Sequence, residues 1–315
     1  MLDITTIILT YNEEIHIRRC LENVCSFSKK VYVIDSPSTD RTVDICAEFP
    51  DVEVVVHKYP GNQAEQFNWA LDNCQIDTEW ILRVDADEYC EPELIKEMEE
   101  KLPSLPNDVS AVVVPIGREF MGQRLRHGIV NDVSLTRMLR PGKVRYEASL
   151  MDEYMKVLEG ESVKFEYAIV DASRISLSAF TDKHNNYSSR EAAMLLDAEY
   201  QLREICSEQN GEMAKEVMEK RAKKAKYAKM PLFWRSFGYF LYRYFFKLGF
   251  LDGKEGFCWD FFQGLWYRLL VDAKVYEVRK WMATNGIVAN AEGSLTQESK
   301  DAIKRYIKMT WNINL

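Results

Sequence analysis

The stretch "WILRVDADEY", residues 80–89, joins an apolar run to a cluster of acids. Its first half is typical of a central strand that is buried on both faces of a parallel sheet. Asp85, Asp87 and Glu88 follow, and carboxylates packed this closely repel one another. The stretch therefore predicts a central β-strand that ends where a source of positive charge is needed.

Length and composition place the chain among folded proteins. Its 315 residues suffice for one large domain or two modest ones, and its 47% apolar and 29% charged residues are ordinary for a globular chain. The net charge of -8 argues against general nucleic-acid binding, so no nucleic-acid partner is expected.

Cysteine usage and the N-terminus predict a cytoplasmic location. The seven cysteines are scattered and form no Cys-x-x-Cys pair, which is typical of reduced thiols. The N-terminal "MLDITTIILTYNEE" lacks a basic n-region, and no stretch of about 18 apolar residues follows. We therefore expect neither a signal peptide nor a spanning helix.

Short apolar runs alternate with helix-like stretches over residues 1–117, which is typical of an α/β fold with a nucleotide-binding sheet. Residues 118–180 hold short strand candidates between polar turns, as expected of an acceptor-specific addition. From about residue 181 to 315 the pattern is helical. Predicted strands cover 4–10, 30–36, 52–58, 79–87 and 109–117.

The segment 231–250, "PLFWRSFGYFLYRYFFKLGF", combines aromatic and basic residues. Arg235, Tyr239, Arg243 and Lys247 recur every four residues, so a helix would align them in one stripe. Such a helix suits peripheral contact with a membrane, its basic side toward phosphate head groups. The alternative is an aromatic core helix whose arginines and lysine reach the surface.

Asp85 and Asp87 form an Asp-x-Asp pair at the predicted strand end. Two hard oxygen ligands suit Mg²⁺ or Mn²⁺, which takes further oxygens from a substrate diphosphate. In the alternative, Asp87 or Glu88 caps the next helix and Asp85 is merely solvated.

Two more polar clusters follow predicted strands. "TYNEE", residues 10–14, contains groups that can grip a nucleotide, and in "IDSPSTDRT", residues 34–42, Asp35 can accept hydrogen bonds from a base or ribose. The alternatives are a turn and helix start at Asn12 and Glu13 and a helix cap at Ser38, Thr39 or Asp40.

Together, "TYNEE", "IDSPSTDRT" and "VDADE" resemble the family 2 glycosyltransferases, inverting enzymes of the GT-A fold that use nucleotide-activated sugars. The similarity covers about the first 120 positions. The later "FTDKHNNYSSREAAMLL" and "KLGFLDGKEGFCWDFFQGLWYRLLVDAKVYE" look like the C-terminal part of bacterial members that build lipopolysaccharide core or capsule sugars. The resemblance implies a GT-A catalytic domain over 1–180 and a helical region over 181–315.

The resemblance also implies roles for individual residues. Asp35 would contact the base, Asp85 would lie near the ribose and diphosphate, and Asp87 would coordinate Mn²⁺ or Mg²⁺. The nucleotide pocket would be lined by Thr10, Tyr11, Asn12 and Glu14.

A carboxylate base is expected on the acceptor side. In "YEASLMDEYM", Asp152 and Glu153 lie about as far downstream in the sequence as the base of a family member would. Glu153 is favoured because the second acid of the pair is usually Glu in the similar bacterial subgroup. The alternative is two surface acids.

The chain departs from the family pattern in two places. Phe67 precedes Asn68 at a position where the family often has Arg. The contacts that this arginine makes in other members would be made here by Gln66 or Gln63. The Gln-x-x-Arg-Trp motif of processive members is absent, since "QGLWYR" does not fit. Transfer of a single sugar is expected.

The resemblance thus implies an inverting, metal-dependent glycosyltransferase that moves one sugar from a nucleotide-sugar donor to a glycan or lipid-linked acceptor in lipopolysaccharide or capsule biosynthesis. A sugar nucleotidyltransferase is an alternative, although a glycine-rich loop would be expected where "TYNEE" stands. A non-catalytic nucleotide-sugar-binding scaffold would be expected to lose its acids. The expected location is cytoplasmic; peripheral attachment to the inner face of the cytoplasmic membrane and assembly into a homo-oligomer both stay open.

Overall fold

In the computed structural model, the strand predicted from "WILRVD" lies inside a mixed sheet. This strand, β4 (Trp80–Asp85), pairs in parallel with β1 (Leu2–Thr10) and antiparallel with β8 (Ser134–Leu139). β1 also pairs in parallel with β2 (Ser28–Asp35), which pairs in parallel with β3 (Val52–Val56). Since these four parallel strands share one direction, their carboxyl ends meet at one edge of the sheet.

The structure describes residues 1–130, 133–147, 155–203, 212–213, 218, 222, 226–290 and 294–315. The chain divides into two compact units: Met1–Arg174 with Gln209–Lys223, and Ile175–Glu208 with Lys224–Leu315.

The first unit contains the sheet and its flanking helices. The order of the principal strands is β3-β2-β1-β4-β8-β6-β12-β5, and β7 and β11 also pair with β6, while β13, β10 and β9 form a small second sheet. The further strands are β5 (Glu88–Cys90), β6 (Val109–Phe120), β7 (Gln123–Leu125), β9 (Val144–Tyr146), β10 (Met155–Val157), β11 (Glu161–Lys164), β12 (Ile169–Asp171) and β13 (Glu212–Met213). The helices are α1 (Ile17–Val24), α2 (Thr42–Cys46), α3 (Gln63–Asn73), α4 (Pro92–Lys101) and a 3₁₀ turn (Leu102–Ser104).

Alternation along β4 explains why its apolar run forms a central strand. Trp80, Leu82 and Val84 belong to the core on one face of the sheet, and Ile81 belongs to the core on the other. Successive side chains of a strand point to opposite faces, so a strand covered on both faces needs an unbroken apolar run.

The predicted α/β fold class, a GT-A-type mixed sheet with a helical C-terminal region, is confirmed.

The alternatives for helix capping have different outcomes. Arg41 occupies the N-cap position of α2, so Ser38 and Thr39 do not cap this helix. Asp40 Oδ1 does accept from the N–H of Thr42, the first residue of the helix, at 2.9 Å. Neither Asp87 nor Glu88 caps α4, because β5 intervenes and the helix begins at Pro92.

The second unit is helical. Its core joins three long helices through side chains such as Leu196, Val275 and Ile303. The elements are α5 (Leu177–Tyr200), α6 (Trp234–Leu241), a π-helix (Tyr242–Phe246), a 3₁₀ turn (Gly249–Asp252), α7 (Gly253–Trp259), a second π-helix (Asp260–Trp266), α8 (Tyr267–Thr284) and α9 (Gln297–Trp311).

The basic stripe in 231–250 does not face outward as expected. Arg235 and Arg243 are buried and ion-paired with Asp272 and Asp260. These two arginines therefore neither point toward lipid head groups nor reach the surface, so both expectations are wrong for them. Among the described residues, no helix combines the length and the apolar character needed to cross a bilayer.

Candidate active site

Thr10 and Asp35 lie side by side at the carboxyl edge of the sheet, where the β1–β2 register pairs them. Thr10 Oγ1 donates to Asp35 Oδ1 at 2.8 Å. Ser38 donates to the same carboxylate through Oγ (2.6 Å to Oδ1) and through its backbone N–H (2.8 Å to Oδ2). Asp35 is 1% exposed, so its charge is satisfied inside the protein, while neighbouring Tyr11 is 61% exposed.

The two loops after β1 and β2 are hydrogen-bonded to each other. Asn12 has φ +56°, a left-handed conformation that Asn tolerates better than most residues. Its N–H donates to Ser38 Oγ at 2.9 Å, and its Oδ1 accepts from Thr39 N at 2.8 Å. Glu14 N donates to Asp40 Oδ2 at 3.0 Å. Two of the predicted nucleotide-binding residues, Asn12 and Glu14, thus shape the loops of the site.

Gln66 is buried and holds His57 in place. Its Nε2 donates to Ser36 Oγ (3.3 Å) and to the His57 carbonyl oxygen (3.2 Å), and its Oε1 lies 2.7 Å from His57 Nδ1. Since Oε1 is an acceptor only, His57 Nδ1 carries the proton. The His57 ring stacks on Trp69 with 3.8 Å between centroids. Gln66 therefore positions an imidazole at the same edge of the sheet.

Asn68 ties α3 to β9. Its Nδ2 donates to the Tyr146 carbonyl oxygen and its Oδ1 accepts from Tyr146 N, both at 3.1 Å. Gln63 Oε1 accepts from Arg83 Nη2 at 2.9 Å. Of the two glutamines, Gln66 supports His57 and Gln63 supports an arginine of β4.

Asp85 lies between two arginines. Arg83 Nη2 is 3.2 Å from Asp85 Oδ1, and Arg137 Nη2 is 3.6 Å from Asp85 Oδ2. Both arginines are buried, whereas a third of the Asp85 side chain is exposed. The crowded negative charge at the end of β4 is therefore matched, in part, by cations of the protein itself.

Glu88 is bound to the same network. Its Oε2 accepts from Asp85 N at 2.9 Å, and its Oε1 is ion-paired with Arg137. Burial raises the pKa of Glu88 to about 7, although Arg137 acts in the opposite direction. Glu88 is 2% exposed, so it supports the turn after β4 and does not face solvent.

Asp87 is held by its backbone. Its carbonyl oxygen accepts from Arg19 Nη2 at 2.7 Å and from Ala172 N at 3.0 Å. Within the ranges that the structure describes, no hydrogen bond or ion pair engages its half-buried carboxylate. The turn thus fixes Asp87 and leaves its carboxylate available to a ligand.

Hydrogen bonds tie the predicted residues Thr10 and Asp35 to each other and Asn12 and Glu14 to the loop after β2, while Asp85 ends the neighbouring strand β4. Asp152 and Glu153 lie outside the described residues. In the described part of the chain, no group of three or more His, Cys, Asp or Glu side chains is placed to hold a metal ion.

Sequence reasoning missed Arg83, Arg137 and His57. The two arginines carried a usable signal, because each interrupts an apolar strand, "WILRVD" or "SLTRML", and a buried charge needs a partner. His57 carried no such signal, since it follows β3 in a polar segment.

Residues 5–154 match the model of the family described as Glycosyl transferase family 2, slightly less than half of the chain. The matched segment contains the acidic strand end and both polar loops.

Curated relatives are glycosyltransferases. The SPbeta prophage-derived glycosyltransferase SunS of Bacillus subtilis is 28% identical over 194 residues, which cover 59% of this chain and 42% of the relative. An uncharacterized glycosyltransferase of Rickettsia bellii is 40% identical over 96 residues, 30% of this chain and 31% of the relative. The chain thus spans less than half the length of these relatives.

Solved structures resemble the chain at low identity. TarS 1–349 of S. aureus in complex with UDP is 15% identical with a TM-score of 0.42, covering 91% of this chain and 92% of that one. Glucosyl-3-phosphoglycerate synthase of Mycobacterium tuberculosis, in complex with Mn²⁺, UDP and glucosyl-3-phosphoglycerate, is 18% identical with a TM-score of 0.30, covering 37% and 44%.

Proposed function

We propose that the chain is an inverting, metal-dependent glycosyltransferase that moves a single sugar from a nucleotide-sugar donor to a glycan or lipid-linked acceptor in bacterial cell-surface polysaccharide biosynthesis. The observation that carries the proposal is the Asp87 carboxylate, which has no hydrogen-bond or ion-pair partner among the described residues and lies next to Asp85 at the carboxyl edge of the sheet in the segment similar to family 2. Ligands of α/β sheets bind at this edge.

The oxygen ligands that the protein offers here fit a hard divalent cation. Mg²⁺ is usually held by one or two carboxylates together with substrate phosphates. Asp87 offers one carboxylate that no residue in the described part of the chain engages in a hydrogen bond or ion pair. When bound, Mn²⁺ or Mg²⁺ supplies Lewis-acid stabilisation of a diphosphate leaving group.

The remaining residues act on the donor and its surroundings. Thr10, Asn12 and Glu14 hold the two loops in a fixed shape, so the nucleotide enters a preorganised pocket beside Tyr11 and Asp35. Arg83 and Arg137 hold the Asp85 carboxylate in place, so that it can accept hydrogen bonds from the donor.

On the acceptor side, Glu153 is the proposed base and Asp152 the second candidate. The base accepts the proton of the acceptor hydroxyl as that oxygen attacks the anomeric carbon from the face opposite the leaving group. General base catalysis is typically worth about 10²- to 10⁴-fold in rate. Attack from the opposite face inverts the anomeric configuration.

A donor screen tests the proposal. The purified chain is incubated with UDP-, GDP-, CMP- and dTDP-sugars, with Mn²⁺ or Mg²⁺, and both binding and release of the nucleotide are measured. We expect one donor class to bind and to be consumed slowly by water or by added acceptor. If no sugar nucleotide binds or is hydrolysed, the proposal is wrong.

A further inference from the structure

The segment from Trp234 to Trp266 has both of its arginines inside, each ion-paired with a buried aspartate. Asp272 of α8 is 0% exposed, and its Oδ1 accepts from Arg235 Nε at 2.8 Å. Its Oδ2 accepts from Phe233 N at 2.7 Å and from Ser236 Oγ at 3.0 Å. The carboxylate is therefore fully used in fixing the start of α6.

A second buried ion pair joins the two π-helices. Arg243 Nε donates to Asp260 Oδ1 at 2.8 Å, and both side chains are buried. Glycines make the close approach feasible: a Cβ at Gly249 would collide with the Asp260 carboxylate, and one at Gly264 would lie 3.2 Å from Arg243 Cδ. The ion pair is therefore packed closely against the backbone at Gly249 and Gly264.

The same segment has its large apolar side chains outside. Trp234 and Phe246 are 79% and 77% exposed. Here we define the aromatic face as the exposed residues Trp234, Phe237, Leu241, Tyr242, Phe245, Phe246, Leu248, Phe250, Leu251, Phe257 and Phe261. A helical segment surrounded by water normally has the opposite arrangement, with apolar residues inside and charges outside.

Ring contacts join part of the aromatic face. Tyr244 lies 5.1 Å from Phe245, 6.2 Å from Phe250 and 5.6 Å from Phe257, measured between ring centroids. Phe257 in turn stacks on Phe261 at 6.2 Å. An exposed apolar patch of this kind marks an interaction surface.

The net charge of the segment that contains the aromatic face has the opposite sign to the net charge of the whole chain. Residues 226–270 contain seven Lys or Arg and three Asp or Glu, a balance of 7 − 3 = +4, whereas the whole chain is at -8. Two of the three acids, Asp252 and Asp260, are buried, while Lys226, Lys229 and Lys254 are exposed. The accessible charge in this segment of the chain is therefore mainly cationic.

We propose that the aromatic face binds an anionic phospholipid bilayer, with its Trp and Phe side chains at the boundary between head groups and acyl chains. Insertion removes the apolar side chains from water, and the lysines beside the face attract anionic head groups. The buried ion pairs of Arg235 and Arg243 fix these helices in an orientation that keeps the aromatic side chains on the outside. This inference concerns attachment to lipid and goes beyond the proposed transferase activity.

Vesicle sedimentation tests this attachment. The full chain is mixed at low salt with phosphatidylcholine vesicles that contain phosphatidylglycerol, and with vesicles of phosphatidylcholine alone. We expect the chain to sediment with the anionic vesicles, and Trp234→Glu or Phe246→Glu to reduce its partition by at least about tenfold, since each loses the burial of a large aromatic side chain. Val288→Glu is the control, because Val288 is 79% exposed but lies outside the aromatic face.

Unchanged thermal unfolding of the variants would show that the fold is intact. The proposal is overturned if the wild type does not sediment with anionic vesicles, or if it binds vesicles of phosphatidylcholine alone as well as it binds anionic ones. It is also overturned if the two variants bind anionic vesicles like the wild type. A dimer that Phe246→Glu dissociates, without any vesicle binding, would assign the face to a second copy of the chain. The readout is independent of sugar transfer, so a failed donor screen leaves this test intact.

Discussion

Asp85 and Asp87 stand two positions apart and have different surroundings. Asp85 lies within ion-pair distance of Arg83 and Arg137, so removing its charge leaves two buried cations with less compensation. Asp87 is fixed through its carbonyl oxygen, and within the described residues its carboxylate has no hydrogen-bond or ion-pair partner. The two acids should therefore respond differently to the same substitution.

We expect Asp87→Asn to lower donor turnover by at least about 100-fold, equivalent to about 2.7 kcal/mol, because the carboxamide is a poor ligand for a hard cation. Its free energy of unfolding should change by no more than about 0.5 kcal/mol, as for a side chain without partners. Asp85→Asn should instead cost about 1–3 kcal/mol of stability. Donor-consumption assays and urea unfolding of both variants check this.

Equal losses of stability in the two variants would contradict the distinction, since they would give Asp87 a structural role. Unchanged turnover in Asp87→Asn would remove the metal-binding role of this residue while leaving the fold assignment intact.

At the scale of single elements, the π-helices around Arg243 and Asp260 contain an ion pair whose carboxylate is costly to ionise. Burial raises the pKa of Asp260 to about 6, with Arg243 acting in the opposite direction and Asp252 in the same direction. An acid whose pKa is higher in the folded chain than in the unfolded chain stabilises the fold below its unfolded pKa, and this stability is lost as pH rises through the folded pKa.

We therefore expect Asp260 to reduce the free energy of unfolding between about pH 4 and pH 6, with a slope of at most about 1.4 kcal/mol per pH unit. Asp260→Asn should remove this slope, although it leaves Arg243 buried beside a neutral partner and so lowers stability at pH 7. Urea unfolding at several pH values measures both effects. Glu277→Gln, an exposed acid on α8, is the matched control and should keep the wild-type slope.

At the scale of the whole molecule, the division into two units separates the proposed chemistry from the proposed lipid contact. The sheet, the polar loops and the acidic strand end belong to the first unit, and the aromatic face belongs to the second. Substitutions on the aromatic face should therefore leave the donor site unchanged, which makes the two proposals separable by experiment.

On the proposed function, the reaction should add one sugar to each acceptor, because the chain lacks the Gln-x-x-Arg-Trp motif of processive members. Mass spectrometry of the product, with donor in increasing excess over acceptor, should show a single added sugar at every ratio. A ladder of products that lengthens with donor would contradict this prediction.

Much of the first unit could be predicted from local sequence. The predicted strands at 4–10, 30–36 and 52–58 correspond to β1, β2 and β3, because a strand covered by helices needs a short apolar run ended by polar residues. Helix starts were less predictable: Ser38 and Thr39 are helix-capping residue types, yet α2 begins later, since Ser38 and Thr39 are bonded to Asp35 and Asn12 instead.

The sequence by itself determined where the main strands of the first unit lie along the chain. It also determined the polar loops at their ends and the crowded acids after β4. Only the tertiary structure decided which charges meet. Arg137 is 49 positions from Glu88, and Arg235 is 37 positions from Asp272. Periodicity reports the direction of a side chain relative to its own element, but the partner that stabilises a buried charge is chosen by how distant elements pack. For that reason the arginines of "FWRSFGYFLYRYFF" lie inside the second unit and its aromatic residues lie outside.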